Sequence, residues 1–435
     1  MRTRNSSAIL TVLALLFPIL SAGQTRDFSL RDRDKITFYG DSITAQREYT
    51  EDVEEYVLSR FPGWTVSFHN AGVGGDRVDG GAAGPVDLRL ERDVFAYEPT
   101  MVTVMLGMND GYYRQSEPGI FSTYADGYRH IVDSIQQHLP RARITLIQPS
   151  PFDDVTRAAQ FEGGYNGVLR AYSQLIVAVS REKHTQLADF NDPVTEFIGV
   201  LNRQSPGLAQ ELIPDRVHPG QGGHWLMAES LLKSWNAPAL VSSVSFKISG
   251  KAATMNVNNA RINDVDRTKT GLRWTETEQA LPLPFPPAEV DPVLALVVKL
   301  SDIVAALDQQ TLQVRGLPNG NYNLLIDERK VSEFTANQLE VGVNLATLDT
   351  PMLEQARLMA SEVQARNRIE SARFDIVYAS KEAASGKTAT DLADAMSAAD
   401  TRLRADAQPH SHRFEVILTS SGRDRDTTSM QSSSR

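Results

Sequence analysis

The segment ITFYGDSIT, residues 36–44, decides the fold that we predict for this chain. Its first half is rich in β-branched and aromatic residues, as in a buried strand, and its second half is a turn. Similar runs follow at residues 65–69, 101–106, 144–147 and 186–190. Amphipathic stretches separate them, and the clearest one, Ile120–Leu139, keeps apolar residues at helical spacing. This alternation predicts an α/β fold with a doubly wound parallel sheet, whose functional residues lie in the loops after the strands.

The alternation of strands and helices stops after Trp235, and a different kind of sequence follows. Residues 242–282 are rich in Ser, Thr, Val and Asn with an alternating pattern, which predicts strands. We expect one helical run over Val293–Leu307 and a hairpin at Leu317–Asn321, where Pro-Asn-Gly lies between two apolar strands. Residues 351–407 have a helical pattern that is split near Gly386. These features predict a C-terminal accessory α+β region, first β-rich and then helical.

The N-terminus has the parts of a secretory signal peptide. Two arginines precede an apolar run from Ala8 to Leu20, and Ser21-Ala22-Gly23 provide a small-residue cleavage site. The run is short for a membrane span, and Pro18 interrupts it. We therefore expect a secreted or periplasmic protein without stable membrane insertion after cleavage.

These boundaries divide the chain into four parts. We assign residues 1–23 to the signal peptide, 28–240 to the α/β domain, 241–420 to the accessory region and 421–435 to a disordered tail.

Composition narrows the classes of partner and of chemistry. The formal net charge of −10 leaves no basic surplus for nucleic acid or for an anionic membrane surface. The chain has no cysteine, which excludes disulfides, a catalytic thiol and cysteine zinc sites. We find no His-Glu-x-x-His and no cluster at metal-ligand spacing, so we expect neither a metal nor a cofactor. The oligomeric state stays open.

Four short blocks carry residues suited to acyl transfer. Gly40-Asp41-Ser42 follows the first strand, where a serine hydroxyl can act as a nucleophile. In Asp215-Arg216-Val217-His218 the carboxylate can fold back onto the imidazole and fix its tautomer. The loops Asn70–Asp76 and Gly107–Asp110 offer glycine N–H groups and an asparagine amide, the parts of an oxyanion hole. The other seven histidines, His224 among them, lack this acid-then-histidine spacing, and we interpret them as structural.

These four blocks, in this order, resemble those of the SGNH hydrolases, also called GDSL-like lipases or acylhydrolases. The resemblance covers about residues 35–235 and implies a flavodoxin-like fold with metal-free hydrolysis of esters or thioesters. It implies Ser42 as nucleophile, His218 as base and Asp215 as the acid that orients it. It also implies an oxyanion hole made by the N–H groups of Ser42 and Gly75 and the amide of Asn109. Gly74 is the alternative to Gly75 if the register slips by one residue. Ile43 stands where the family has leucine, which should not affect the chemistry.

The resemblance therefore implies a secreted serine esterase that acts on a small-molecule or polysaccharide ester. By analogy with exported relatives we expect short-chain acyl groups, acetyl first, carried on carbohydrate. The glycine-rich, polar loop at residues 72–84 favours a small acyl group over a lipid chain. Two alternatives stay open: a lipid acyl esterase or lysophospholipase, and an inactive hydrolase fold that binds glycan through residues 241–420.

Overall fold

The computed structural model describes residues 27–250, 252–380 and 387–419. The proposed signal peptide and the proposed tail lie outside these residues and stay predictions. Within the described ranges, no helix combines the length and the apolar content needed to cross a membrane.

Strands and helices alternate through residues 35–234, as predicted. The strands are β1 (Lys35–Gly40), β2 (Ser67–Gly72), the short β3 (Gly80–Gly81) and β4 (Gly84–Pro85), β5 (Met101–Met105), β6 (Arg143–Gln148) and β7 (Gln186–Asp189). The helices are α1 (Ser42–Ala45), α2 (Glu48–Arg60), α3 (Val86–Asp93), α4 (Pro118–His138), α5 (Gly164–Lys183), α6 (Asn191–Gln204), α7 (Pro206–Glu211) and α8 (Gln221–Ser234).

The long strands form one parallel sheet in the order β2-β1-β5-β6-β7. In β1 every residue after Lys35 is buried, as expected for a central strand with helices on both faces. Helices α2 and α8 pack on each other, and so do α4 and α5. The predicted doubly wound α/β fold is confirmed. The second strand begins at Ser67 rather than at Thr65 and continues to Gly72.

The rest of the chain adds strands and two long helices. The strands are β8 (Leu240–Ser249), β9 (Ala252–Asn258), β10 (Ala260–Arg267), β11 (Gly271–Glu278), β12 (Gln309–Arg315), β13 (Asn321–Ile326), β14 (Arg329–Thr335), β15 (Val343–Asn344) and β16 (Ser411–Leu418). The helices are α9 (Pro292–Leu300), α10 (Ile303–Leu307), α11 (Ala336–Val341), α12 (Pro351–Ser380) and α13 (Lys387–Asp406).

Two sheets from this part face each other across a second hydrophobic core. One has the order β10-β11-β16-β13-β14 and the other β15-β12-β8-β9. Alternate residues of both sheets point into the shared core, among them Phe246, Leu312, Trp274 and Leu324. This arrangement is a β-sandwich.

The hairpin predicted at Leu317–Asn321 is wrong. Strand β12 pairs with β8 and β15, whereas β13 pairs with β14 and β16, so this turn carries the chain from one sheet to the other. In β12 and β13 buried and less buried residues alternate, as in a hairpin. The two strands lie in different sheets, however, so their apolar faces meet across the core instead of side by side. The hairpin forms between β13 and β14, where Asp327 and Glu328 have φ of 48° and 65°. Two central residues with positive φ suit a two-residue hairpin turn.

The single helical run predicted over Val293–Leu307 is also wrong, because the run contains two helices. Ser301 has an extended backbone with ψ of 178° and ends α9, and α10 begins at Ile303. The Ser301 hydroxyl accepts the Ile303 N–H at 3.3 Å, a local bond that competes with the helix.

Residues 283–307 pack on the first core, although the sequence analysis assigned them to the accessory region. Leu283, Phe285, Leu294 and Leu307 belong to the apolar cluster around the parallel sheet. The chain therefore leaves the α/β core at β8, returns to it through α9 and α10, and leaves again at β12.

Candidate active site

Ser42 lies at the carboxyl edge of the sheet, at the start of helix α1. Asp41 caps this helix, because its carboxylate accepts the N–H of Ile43 at 3.0 Å. Gly40 allows the turn to be tight, since a Cβ there would collide with the side chain of Thr44 and lie 2.8 Å from the carbonyl of Met105. The turn leaves the Ser42 side chain partly exposed between a buried aspartate and a buried isoleucine.

His218 connects Ser42 with Asp215. Its Nε2 lies 2.9 Å from Ser42 Oγ, and its Nδ1 lies 2.7 Å from Asp215 Oδ2. The other carboxylate oxygen, Oδ1, accepts the N–H groups of Val217 at 2.9 Å and of His218 at 2.7 Å. Burial would raise the pKa of Asp215, but the hydrogen bonds from His218 and Val217 outweigh it and lower the pKa. The three residues proposed from sequence thus meet in one hydrogen-bonded chain.

Two arginines that the sequence analysis missed hold the loop that carries Asp215 and His218. Arg157 donates to the carbonyl of Pro214 at 2.7 Å. Arg216 donates to the Asp154 carboxylate at 2.6 Å and to the Asp153 carbonyl at 3.0 Å. Because both arginines join the loop after β6 to the loop of Asp215 and His218, which are far apart in sequence, the sequence offers no spacing signal for them.

The two glycine and asparagine loops start beside Ser42 because their strands are in register. Gly40 pairs with Gly72 on one side and with Met105 on the other. The Asn109 side-chain amide donates to the carbonyl of Asp76 at 3.1 Å, which joins the two loops. Since an amide nitrogen has two hydrogens, one remains for a ligand. Gly75 has φ of 73°, whereas Gly74 lies outside the left-handed region, so the backbone favours glycine at position 75.

Tyr113 is a further residue that the sequence analysis missed. Its hydroxyl donates to Asn109 Oδ1 at 3.0 Å, on the opposite end of the amide from the bond to Asp76. Its ring lies 5.1 Å from that of Tyr165, and 38% of the residue is exposed. The Asp76 carbonyl can only accept, so it sets which end of the Asn109 amide is the donor, and Tyr113 binds the other end. Tyr113 follows Asn109 by four residues, which is a weak signal in the sequence. Only the structure shows that the two side chains meet.

A buried aspartate adjoins each proposed oxyanion-hole residue: Asp41 beside Ser42, Asp76 beside Gly75 and Asp110 beside Asn109. Burial raises the pKa of Asp41 to about 7 and that of Asp110 to about 8. Burial also raises the pKa of Asp76, whose carboxylate pairs with the buried Arg89 at 2.9 Å.

These carboxyls also link the loops to one another. Asp110 accepts the N–H of Val78 at 2.9 Å, which ties the third loop to the second. The raised pKa values of Asp41 and Asp110 mean that these carboxyls carry less negative charge near neutral pH than ordinary aspartates, which suits a site that would stabilise an anion.

His224 is structural, as predicted. It is fully buried, its Nδ1 accepts the N–H of Tyr49 at 3.3 Å, and burial lowers its pKa to about 3. It therefore stays neutral inside the core.

The arrangement of Ser42, His218 and Asp215 can transfer a proton from the serine hydroxyl to the imidazole. The neighbouring loops provide hydrogen-bond donors beside it. Among the described residues, no group of three or more His, Asp and Glu side chains is placed to hold a metal ion.

Comparison with known proteins agrees with the fold and with the four blocks. Residues 38–226 match the model of the GDSL-like lipase/acylhydrolase family. An acetylxylan esterase from Geobacillus stearothermophilus is 26% identical over 221 residues, which cover 46% of this chain and 93% of that protein. A gut microbial diltiazem-metabolizing enzyme has a TM-score of 0.78 at 20% identity, covering 90% of this chain and 98% of that one. This likeness shows that both parts of the chain share their fold with a solved structure.

Proposed function

Because residues 38–226 form a GDSL-like lipase/acylhydrolase domain and the protein is a carboxylic ester hydrolase, we propose that it removes short acyl groups, acetyl above all, from carbohydrate. The nucleophile in this proposal is Ser42, the base is His218, and Asp215 orients the base. The observation that carries it is the continuous chain of hydrogen bonds, 2.9 Å from Ser42 to His218 and 2.7 Å from His218 to Asp215.

The first half of the reaction forms an acyl-enzyme. Ser42 Oγ attacks the ester carbonyl carbon while its proton passes to His218 Nε2. The carbonyl oxygen becomes an oxyanion, which accepts hydrogen bonds from the N–H groups of Ser42 and Gly75 and from the Asn109 amide. When the tetrahedral intermediate collapses, the bond to the alcohol oxygen breaks, and His218 gives its proton to that oxygen. The alcohol leaves and the acyl group stays on Ser42.

The second half returns the enzyme to its starting state. Water attacks the acyl carbon and gives a proton to His218, the same donors hold the second oxyanion, and the bond to Ser42 Oγ breaks. His218 then returns its proton to Ser42, and the carboxylic acid leaves. Asp215 stays ionised throughout and stabilises the charged imidazole. Its lowered pKa supports that role.

The choice of acetyl esters on carbohydrate rests on two observations. A relative that matches this chain over 221 residues is an acetylxylan esterase. The loop after β2 is glycine-rich and has Arg77 and Asp79 among its side chains, which suits a polar alcohol better than a lipid chain. Both favour a small acyl group on a polar alcohol.

The proposal includes export, which rests on the signal-peptide pattern of residues 1–23. Expression of the full chain in a bacterial host, followed by N-terminal sequencing of the periplasmic and medium fractions, tests it. We expect a mature N-terminus close to Gln24. A product that keeps Met1 and stays in the cytoplasm would contradict export.

The function is tested with p-nitrophenyl acetate, butyrate and octanoate, together with acetate release from acetylated xylan. We expect activity that falls with acyl length and that Ser42→Ala abolishes. Ser122→Ala, a change at an exposed serine of α4, is the matched control and should retain activity. No hydrolysis of any ester by a protein that is folded by circular dichroism would instead favour a glycan-binding protein.

A further inference from the structure

Helix α12, from the C-terminal part of the chain, is fixed beside the loops of the active site by a buried polar network. At its centre is Glu370, whose carboxylate accepts the backbone N–H of Asn70 at 3.1 Å, lies 2.8 Å from His69 Nδ1 and pairs with Arg47. Burial alone would raise the pKa of Glu370, but His69 and the charges of Arg47 and Arg366 outweigh it and lower the pKa to about 2. The ionised carboxylate of Glu370 thus anchors helix α12 to strand β2.

Two neighbours of Glu370 extend the network along the same helix. Arg366 donates to the carbonyl of Phe68 at 3.3 Å. Asn367 donates to the Glu54 carboxylate at 3.0 Å. Because β2 is the edge strand of the sheet, these bonds hold α12 at that edge. The next turn of α12, Ser371–Asp375, is thereby set over the loop that follows β2.

A pocket of about 280 Å³ lies between this turn and the loop. The α/β domain provides Ala45, Arg47 and the backbone of Gly72–Gly74, and α12 provides Ser371, Phe374 and Asp375. The pocket shares two segments with the proposed oxyanion hole, since Gly74 of its lining precedes Gly75 and Ala45 of its lining ends the helix that begins with Ser42. Neither half of the chain forms it alone.

The lining indicates what the pocket would bind. Phe374 packs with Val73 and Ala83 and provides an apolar wall. Asp375 is exposed and Ser371 is half-buried, so at the rim the Asp375 carboxylate can accept hydrogen bonds and the Ser371 hydroxyl can accept or donate them. A neutral ring with hydroxyl groups suits one apolar wall and a rim of hydrogen-bonding groups. A fatty acyl chain would cover the exposed carboxylate of Asp375 without offering it a hydrogen bond, which is costly.

The volume of the pocket is enough for one ligand of about the size of a small ring. It lies just below the range of about 300–1,000 Å³ for pockets that take drug-sized ligands. An acetyl group alone would leave most of it empty, and the carboxylate at the rim disfavours an anionic sugar.

We propose that this pocket is a subsite for the neutral sugar ring that carries the scissile ester, so that helix α12 selects the alcohol half of the substrate. This inference rests on the proposed function, because it names the alcohol that the esterase releases.

The test compares kcat/KM for acetylated xylooligosaccharides with kcat/KM for p-nitrophenyl acetate, whose leaving group has no sugar ring. In Asp375→Asn and Ser371→Ala we expect the ratio of the two values to fall about threefold to tenfold per change, through KM, as for the loss of one hydrogen bond. Asp394→Asn on α13 and Gln364→Ala on α12 are exposed controls outside the pocket and should leave the ratio as in wild type. An unaltered ratio in the pocket variants would overturn the subsite.

A binding measurement separates failure of the subsite from failure of the proposed function. Ser42→Ala protein is titrated with acetylated xylooligosaccharide by calorimetry, so that no hydrolysis is needed. We expect binding that Asp375→Asn weakens at least threefold. No binding, or equal binding with and without Asp375→Asn, would overturn the subsite even if wild type hydrolyses p-nitrophenyl acetate. Binding by a protein that hydrolyses no ester would keep the subsite and overturn the esterase.

Discussion

The orientation of the Asn109 side chain illustrates how single residues control this site. A carboxamide has a donor end and an acceptor end, and only the donor end can stabilise an oxyanion. Asp76 and Tyr113 define the two ends, by accepting from Nδ2 at 3.1 Å and by donating to Oδ1 at 3.0 Å. A flipped amide would turn Oδ1 toward the Asp76 carbonyl and lose that bond, and the Tyr113 hydroxyl would then have to accept instead of donate.

Tyr113→Phe tests this orientation, because it removes the hydroxyl and keeps the ring. We expect kcat to fall about tenfold, as for the loss of one hydrogen bond, with a smaller change in KM. Asn109→Ala should lower kcat by about 10²–10³.

The double variant provides the control, because Tyr113→Phe should have little further effect once Asn109 is alanine. Steady-state kinetics on p-nitrophenyl acetate measure all four proteins. A full tenfold effect of Tyr113→Phe in the Asn109→Ala background would show that Tyr113 acts by another route.

Asp110 gives a prediction about pH. Its pKa is raised to about 8 from an ordinary value of 3.8. The folded protein therefore keeps a proton that the unfolded chain loses, so this group's stabilisation is complete below pH 3.8 and is lost as pH rises through 8. Asparagine keeps the acceptor for Val78 and cannot ionise. The Asp110→Asn variant should gain melting temperature relative to wild type as pH rises from 4 to 8.

Each pKa unit by which Asp110 differs between the folded and the unfolded protein corresponds to about 1.4 kcal/mol of stability. For a protein of this size that is roughly 3 °C in melting temperature. Asp79→Asn, at an exposed aspartate in the loop after β2, should show no such trend. A difference in melting temperature between wild type and Asp110→Asn that is the same at every pH would contradict a buried, protonated Asp110.

The sequence located the proposed reacting residues better than it located the residues that hold them in place. Ser42, Asp215 and His218 stand in short blocks, and the acid and the histidine are one turn apart, so their meeting could be inferred from local spacing. Arg157 and Arg216 act through contacts between loops, and Tyr113 reaches Asn109 through the conformation of the loop that they share. Those contacts depend on which loops face each other, and local patterns do not contain that information.

At the scale of elements, the parallel sheet was predictable and the partners of later strands were not. Each strand of the α/β part is followed by a helix, and this connection forces parallel neighbours. In the β-sandwich, alternation shows only that one face of a strand is buried. Alternation does not show which strand lies beside which. The turn at Leu317–Asn321 therefore predicts a hairpin, although its two strands pair with other partners.

Helix α12 gives a prediction at this scale. Glu370→Gln removes an ionised carboxylate and leaves Arg47 and His69 buried without it, so we expect a loss of about 3–5 kcal/mol. Because the pKa of Glu370 is lowered to about 2 from 4.5, its contribution is complete above pH 4.5 and is lost as pH falls through 2. The difference from wild type should therefore shrink as pH falls below 4.5.

Urea unfolding at pH 7 and at pH 4 measures this difference. Glu354→Gln is the matched control, since Glu354 pairs with Arg329 on the exposed side of the same helix. It should cost less than about 1 kcal/mol. A Glu370→Gln protein as stable as the Glu354→Gln protein would show that Glu370 does not anchor α12.

At the scale of the whole molecule, the chain passes between its two cores more than once, so the halves are interdependent. Arg60 of α2 is buried and donates to the carbonyls of Leu281 at 3.0 Å and Leu307 at 2.6 Å. Phe285 packs edge-on against Trp225 of α8, with ring centroids 5.0 Å apart. The α/β core therefore uses residues from beyond its own sequence range.

Truncation after Pro238 tests this dependence. We expect a protein that is insoluble or melts without cooperativity, because Arg60 and Trp225 lose buried partners and apolar surface becomes exposed. Solubility and calorimetry of residues 27–238 against residues 27–419 measure it. A soluble fragment with a cooperative transition at the melting temperature of the longer protein would show that the α/β core is independent.

The most direct test of the account is to identify the residue that reacts with a serine-directed organophosphate. Wild-type protein is treated with diethyl p-nitrophenyl phosphate, and its tryptic peptides are mapped by mass spectrometry. We predict one phosphorylated site, Ser42, in the peptide Ile36–Arg47, with esterase activity lost in proportion to labelling and no label there in Ser42→Ala. A fully active enzyme without label on that peptide, or activity lost through labelling elsewhere, would contradict Ser42 as the nucleophile.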